Sequence, residues 1–171
     1  MSCAKCKKDP QLPVTLDCND NYCYMCLKEM ISLSMINCVG CQMPLNIDIN
    51  NISKDFQQVL SDLVGKHVWL YRSVSGDGYW MFDPKITSSI DTSYKSGVPG
   101  CNYLLGSKIY RIRFGNEEGE QLYSTSPNDP SPKRRYVKRV QFDKDEIKRL
   151  NIKGISGIFF QKIEDEIGKF I

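Results

Sequence analysis

Histidine is almost absent from this chain of 171 residues, in which His67 is the only example. A single histidine cannot supply a pair of imidazole ligands, so we expect His67 at the surface or at a helix end. No stretch approaches the length of a membrane-spanning helix. No Cys/His/Asn set surrounds Cys101, which argues against a cysteine nucleophile. These absences predict a soluble intracellular protein, in the cytoplasm and/or nucleus, without a membrane partner.

A strong charge of either sign is also missing, since 23 Lys and Arg face 20 Asp and Glu for a net charge of +3. Such a mild excess does not require a nucleic-acid partner. The exception is segment 133–139, which holds five cations and no anion. It fits a solvated edge strand or a docking site for an anionic ligand. Nucleic-acid binding is the weaker alternative, because Tyr136 and Val137 share this segment and the net charge is low.

Cysteine, in contrast, is concentrated: seven of the eight cysteines fall within the first 41 residues. Their spacing is Cys3-x2-Cys6, Cys18-x4-Cys23-x2-Cys26 and Cys38-x2-Cys41. A C-x2-C turn presents two sulfur atoms to one tetrahedral metal ion. A disulfide framework is the alternative, but the first residues form no apolar secretory stretch and two-residue gaps suit chelation better. The pattern predicts two Zn²⁺ ions, with one of the eight ligands not a cysteine.

The segment from Leu16 to Cys26 resembles the stretch Cys-x-His-x-x-Cys-x-x-Cys of RING fingers, with Asp20 where histidine usually stands. Cross-braced pairing in that family implies a first site and a second site. The first site would be Cys3, Cys6, Cys23 and Cys26, and the second Cys18, Asp20, Cys38 and Cys41. Between Cys18 and Cys23 only Asp20 offers an anionic oxygen, a less common zinc ligand.

The RING resemblance implies a ubiquitin transferase that holds a charged ubiquitin-conjugating enzyme and forms no covalent intermediate itself. Its zinc ions would be structural. Positions at which the family contacts the conjugating enzyme are occupied here by Lys5, Leu33 and Gln42. Leu33 fits the apolar preference of its position, whereas Gln42 can donate a hydrogen bond but lacks the charge of the usual arginine.

Hydrophobic periodicity divides the chain and predicts an α+β protein. We expect a zinc finger over 1–46, a linker helix within 47–66 that Ser53 caps, a sheet module over 67–142 and a C-terminal extension over 143–171. From Val68 the apolar residues alternate, and Gly76-Asp77-Gly78 predicts a hairpin turn. Asp83 and Pro84 predict the start of a helix that lies against the sheet.

The second module resembles a WWE domain, through Trp69-x-Tyr71, Gly78-Tyr79-Trp80-x-Phe82-Asp83, Ser93-Tyr94-x-x-Gly97, Leu105-Gly106 and Arg135-Tyr136-Val137-Lys138-Arg139. This implies a curled antiparallel half-barrel with one helix that binds the iso-ADP-ribose unit of poly(ADP-ribose). Aromatic faces suit its adenine, and fixed cationic donors suit its phosphates. We assign Trp69 to the core. The contacts implied by position are Tyr71, Trp80, Tyr110, Gln121, Arg135 and Lys153, with Lys28 from the zinc module.

A RING finger followed directly by a WWE domain resembles the poly(ADP-ribose)-dependent ubiquitin ligases. The resemblance implies that poly(ADP-ribose) activates the ligase allosterically and directs ubiquitination of poly(ADP-ribosyl)ated proteins. Partners would be a ubiquitin-conjugating enzyme and the polymer, with no specific nucleic acid. A poly(ADP-ribose) reader without ligase activity is the alternative, since Lys5, Gln42 and Asp20 depart from the family pattern.

Overall fold

The computed structural model describes residues 1–49, 52–54, 56–105, 108–115, 120–124 and 134–160. The described chain forms two compact units, the first built on residues 1–49 and the second beginning at residue 50. Among the described residues, none of the helices could span a membrane.

The first unit is a small cysteine-rich fold with little regular structure. It contains β1 (Pro13–Thr15), β2 (Asn21–Cys23) and α1 (Tyr24–Ser32). β1 and β2 pair antiparallel, with Val14 opposite Tyr22. Tyr22, Leu27 and Met30 are fully buried. This core is small, so bound metal would have to supply part of its folding free energy.

The second unit is a sheet with short helices. Its elements are β3 (Ser53–Lys54), α2 (Gln57–Leu63), β4 (His67–Arg72), β5 (Tyr79–Met81), α3 (Pro84–Lys95), β6 (Gly100–Leu105), β7 (Lys108–Arg113), β8 (Glu120–Ser124), β9 (Arg134–Gln141), α4 (Lys144–Arg149), β10 (Ile152–Ile155) and β11 (Ile158–Phe160). In the described residues the strand order is β3-β11-β10-β5-β4-β9-β8-β7-β6. The sheet is open and mostly antiparallel, as the α+β prediction expects, and the β10–β5 and β11–β3 pairs are parallel.

Helix α3 begins where the sequence predicts, because the Asp83 carboxylate accepts hydrogen bonds from the backbone N–H groups of Lys85 and Ile86. Trp69 on β4 is fully buried, which confirms its assignment to the core. Its ring lies edge-on to Tyr94 of α3, with centroids 5.4 Å apart. Helix α3 therefore covers the part of the sheet that carries Trp69.

The segment before the sheet differs from the expected linker helix. Ser53 does not cap a helix but lies in β3, opposite Phe159 of β11. Helix α2 begins only at Gln57, and the buried Phe56 ring contacts Phe160 edge-on at 5.9 Å. Pairing with the C-terminal extension thus outweighs the local capping preference of Ser53. Residues 161–171 of that extension lie outside the described part of the chain.

Candidate metal centres and aromatic ligand site

Two groups of metal-ligating side chains lie in the first unit. The first is Cys3, Cys6, Cys23 and Cys26, and the second is Cys18, Asp20, Cys38 and Cys41. Within each group the ligand atoms all lie within 4.8 Å of one another. The structure therefore brings together the same two sets of four that the RING resemblance implies.

The sulfur distances fit a tetrahedral metal site. Cys6 Sγ lies 3.8 Å from Cys23 Sγ in the first group, and Cys18 Sγ lies 3.8 Å from Cys38 Sγ in the second. Zn–S bonds of about 2.3 Å at tetrahedral angles place two sulfurs about 3.8 Å apart. A disulfide would need about 2.05 Å. Both groups can thus hold one metal ion each, and all seven cysteines are free thiols here.

Backbone N–H groups stabilise the charged form of several thiols. Cys23 N–H donates to Cys3 Sγ at 3.3 Å, and Gln11 N–H donates to Cys23 Sγ at 3.3 Å. Burial raises the pKa of the Cys3 thiol, but backbone donors, those of Cys6 and Cys23 first, bring it down to about 6. A thiol that is readily deprotonated is prepared for metal binding, because the thiolate is the ligand.

The second group has an oxygen ligand and a hydroxyl donor. Asp20 Oδ2 lies 3.0 Å from Cys38 Sγ, and this contact is the first cause of the lowered pKa of Asp20. The fully buried Tyr22 hydroxyl lies 3.0 Å from Cys38 Sγ and accepts a hydrogen bond from Val39 N–H at 3.1 Å. Because the Tyr22 oxygen accepts the hydrogen bond from Val39 N–H, the Tyr22 hydroxyl can donate its own proton to Cys38 Sγ.

The residues at the implied enzyme-docking positions have different environments. Leu33 is the C-cap of helix α1 and is 61% exposed, and the nearby Ile36 is 75% exposed. Lys5 forms an ion pair with Glu29 of α1, with both side chains largely buried. Gln42 is exposed and adopts a left-handed φ of 64°. Leu33 therefore offers an apolar surface, whereas Lys5 is already engaged within the unit.

In the second unit, strand register places several predicted ligand contacts on one face of the sheet. Tyr71 is opposite Trp80 on β5 and opposite Val137 on β9, so these three side chains share a face. Arg135 lies two positions before Val137 on β9, so its side chain points to the same face. On β8, Leu122 is opposite Arg135, and Ser124, two positions later, is opposite Tyr110. Tyr110 therefore points to the same face as Arg135.

Ring contacts connect the two ends of this group. The Arg135 guanidinium carbon lies 5.8 Å from the Tyr71 ring centroid. Tyr71 contacts Phe82 at 4.8 Å, Phe82 contacts Tyr103 at 5.4 Å, and Tyr103 stacks on Tyr110 at 5.4 Å with an angle of 13°. Tyr71, Tyr110 and Arg135 are half-buried. We call Tyr71, Phe82, Tyr103, Tyr110 and Arg135 the aromatic site.

Phe82 and Tyr103 were not predicted as members of the site. Phe82 is 3% exposed and Tyr103 is 7% exposed. Phe82 is therefore the buried packing partner of Tyr71, and Tyr103 is that of Tyr110. Burial also raises the pKa of Tyr103 well above its usual range. Strand alternation through Tyr103 in β6 was the signal available in the sequence.

The remaining predicted contacts are not part of the aromatic site. Trp80 shares the face of Tyr71 but is half-buried against Phe159, which it meets edge-on at 5.0 Å. Lys153 Nζ lies 2.6 and 2.7 Å from the two carboxylate oxygens of Asp77, and this contact is the first cause of the strongly lowered pKa of Asp77. Lys28, in the first unit, lies 5.5 Å from the Tyr24 ring centroid.

Gln121 pairs with Tyr136, one position out of phase with Arg135. The side chain of Gln121 lies outside the described part of the structure, so its assignment as a contact stays a prediction.

Comparison with known proteins identifies the sheet module. Residues 67–139 match the family model of the WWE domain. The match begins with β4, ends within β9 and includes Tyr71, Trp80, Tyr110 and Arg135. The resemblance inferred from the sequence motifs is thereby confirmed.

Individual relatives match parts of the chain. An uncharacterized RING finger protein, C02B8.6 of Caenorhabditis elegans, is 43% identical over 47 residues, which are 28% of this chain and 14% of that protein. The E3 ubiquitin-protein ligase RNF146 of Rattus norvegicus is 24% identical over 112 residues, which are 63% of this chain and 31% of that protein. Its Xenopus tropicalis counterpart is 23% identical, with 63% of this chain and 34% of that protein covered.

The chain thus spans about a third or less of the length of these curated relatives. It combines a cysteine-rich N-terminal module, whose two clusters are compatible with a RING finger, with a WWE domain over residues 67–139.

Proposed function

We propose that this protein is a RING-type ubiquitin ligase that binds poly(ADP-ribose) through its WWE domain and modifies poly(ADP-ribosyl)ated proteins. The observation that carries the proposal is the occurrence, in one chain, of two RING-compatible cysteine clusters and an aromatic site with a half-buried arginine. Relatives named as E3 ubiquitin-protein ligases support it. The site of action would be the cytoplasm and/or nucleus.

The first module would act as a zinc-stabilised docking unit. Two Zn²⁺ ions held by the two clusters would fix the loops on either side of α1. The exposed Leu33 and Ile36 would then contribute apolar surface to a ubiquitin-conjugating enzyme. The metal ions would have no part in ubiquitin transfer, which proceeds between the conjugating enzyme and its target.

The aromatic site supports an iso-ADP-ribose ligand. Tyr71 and Tyr110 offer ring surface to an adenine or ribose, and Arg135 offers a planar fork of donors to phosphate oxygens. Among the described residues no carboxylate forms a salt bridge with Arg135. Lys153 would contribute less than Arg135, because Asp77 already compensates its charge.

Allosteric activation is part of the proposal. The polymer, bound through Arg135, would act as the switch. A ligand populates the state that binds it better. Activity would then follow ligand concentration if the docking surface is competent in that state.

Binding of iso-ADP-ribose by calorimetry tests the ligand class. Loss of a charge-assisted hydrogen bond costs about 1.5–3 kcal/mol, so Arg135→Ala should weaken binding roughly 10- to 100-fold. The matched control is Arg134→Ala, which removes the same charge one position along β9, on the opposite face. Arg134→Ala should change the affinity less than about threefold. Equal losses in both variants would contradict a specific site at Arg135.

A second candidate is a poly(ADP-ribose) reader without ligase activity. The ion pair of Lys5 with Glu29 favours it, because this lysine stands where the RING family uses an apolar residue. Normal iso-ADP-ribose binding with no transfer by any conjugating enzyme would select this candidate.

A further inference from the structure

Gly40 lies in the second metal cluster, between the ligands Cys38 and Cys41. A Cβ atom added to Gly40 would lie 2.8 Å from Cγ and 3.0 Å from Oδ1 of Asp20, and closer still to Oδ2. Non-bonded carbon atoms settle at about 3.5–4.0 Å. The Asp20 carboxylate therefore occupies the space that any side chain at position 40 would need.

The backbone gives no other reason for glycine at this position. Gly40 is not one of the glycines with a left-handed φ. Its N–H donates to Cys38 Sγ at 3.3 Å, a bond that alanine would keep. Replacing Gly40 by alanine would thus add one methyl group and change little else.

We propose that Gly40 is a positioning residue that leaves room for the Asp20 carboxylate at the second cluster, and so permits a site of three sulfurs and one oxygen. The inference rests on the two-metal module proposed above. Asp20 could rotate away from a methyl group at low cost in the metal-free chain, because its carboxylate is the free end of a side chain. With a metal bound, the same rotation would remove a ligand.

Cobalt substitution of the full chain tests the inference. Co²⁺ takes the place of Zn²⁺, and its ligand-field and sulfur charge-transfer absorption distinguish a four-sulfur site from a site of three sulfurs and one oxygen. In Gly40→Ala we expect the second site to bind Co²⁺ about 10- to 100-fold more weakly, the usual range when support for a ligand is lost. The spectrum of the first site should stay unchanged. Unchanged affinity and spectrum at the second site would overturn the inference.

Two control variants separate positioning from general damage. Gly115→Ala adds a methyl group that meets nothing within 4 Å, at a position without a left-handed φ, and should leave both metal sites intact. In an Asp20→Ala background there is no carboxylate to displace, so adding Gly40→Ala should weaken the second site no further. If Gly40→Ala weakens metal binding at the second site as much in that background as in the wild type, the methyl group acts on the turn and not on Asp20. That result would reject the inference.

The wild-type chain distinguishes this inference from the proposed function. Fewer than two tightly bound ions per wild-type chain would refute the two-metal module. Two ions with insensitivity to Gly40→Ala would refute only the role of Gly40.

Discussion

At the scale of single residues, the buried Tyr22 hydroxyl links the turn of the second cluster to its metal ligand. It lies 3.0 Å from Cys38 Sγ and accepts from Val39 N–H at 3.1 Å. Burial and Asp20 raise the pKa of Cys38, but the Tyr22 hydroxyl and backbone donors bring it below its ordinary value. Tyr22 therefore acts on the thiolate through a hydrogen bond, as residues around metal ligands commonly do.

Tyr22→Phe should weaken metal retention at the second cluster. The variant removes a donor to Cys38 and leaves Val39 N–H without its partner, a loss of about 1–3 kcal/mol. We expect zinc to pass roughly 10-fold faster or more to a chromogenic chelator. The control Tyr24→Phe removes only a hydroxyl that lies 3.5 Å from Ile49 O, so its zinc release should match the wild type. Equal release rates in all three proteins would refute the role of Tyr22.

At the scale of elements, Asp91 joins helix α3 to two strands. Its Oδ1 accepts from Trp69 Nε1 of β4 at 3.3 Å and from Arg139 Nε of β9 at 2.7 Å. Lys95, one turn later in α3, lies 2.7 Å from Oδ2. Burial raises the pKa of Asp91, but these donors, Arg139 first, lower it to about 2.

Asp91 should make the second unit sensitive to acid. Its pKa is lowered in the folded state, so its contribution is complete above the unfolded value of about 3.9 and is lost as the pH falls toward 2. The shift corresponds to roughly 2–3 kcal/mol. Asp91→Asn should lower the free energy of unfolding by about that amount at pH 7. The variant should also lose less stability than the wild type between about pH 4 and 2, as urea unfolding at each pH would measure. The exposed Asp62→Asn should retain the wild-type profile, and an unchanged profile in Asp91→Asn would refute this contribution.

Strand register also divides the basic segment of the sequence. Arg135 and Arg139 point to the face of Tyr71 and Trp69, whereas Arg134 and Lys138 point to the opposite face. The interpretation of the segment as a solvated edge strand is wrong, because β9 lies between β4 and β8 within the sheet. Arg135 suits ligand binding, Arg139 is bound to Asp91, and the half-buried Lys138 lies opposite the buried Leu70.

At the scale of the whole molecule, the two units should respond differently to loss of metal. Ligand clusters lie in the first unit, whereas Trp69, Leu70, Ile90 and Ile112 form an apolar core in the second. A strong chelator should unfold residues 1–49 and leave the β-sheet folded. Circular dichroism with limited proteolysis would test this, and cooperative loss of both units on chelation would contradict it.

Much of this organisation could be predicted from the sequence, because its signals are local. Cysteine spacing predicts two groups of four ligands, and alternation with turn residues predicts the strands around Asp77 and helix α3 after Asp83. Long-range pairing was not predictable in the same way. The β3–β11 pair outweighs the local helix-capping signal at Ser53. No local sequence pattern predicts that Lys153 pairs with Asp77, 76 positions away. Phe82 and Tyr103 join the aromatic site through ring contacts that the folded sheet makes with Tyr71 and Tyr110.

Ubiquitin transfer by the full chain, with and without iso-ADP-ribose, tests the central proposal most directly. The measurement uses activating enzyme, a panel of conjugating enzymes and purified wild type, Arg135→Ala and Arg134→Ala. We expect iso-ADP-ribose to raise the transfer rate of wild type and Arg134→Ala, and to have little effect at the same concentration on Arg135→Ala. Equal rates with and without ligand in the wild type would contradict activation, and absence of transfer with every conjugating enzyme would contradict ligase activity itself.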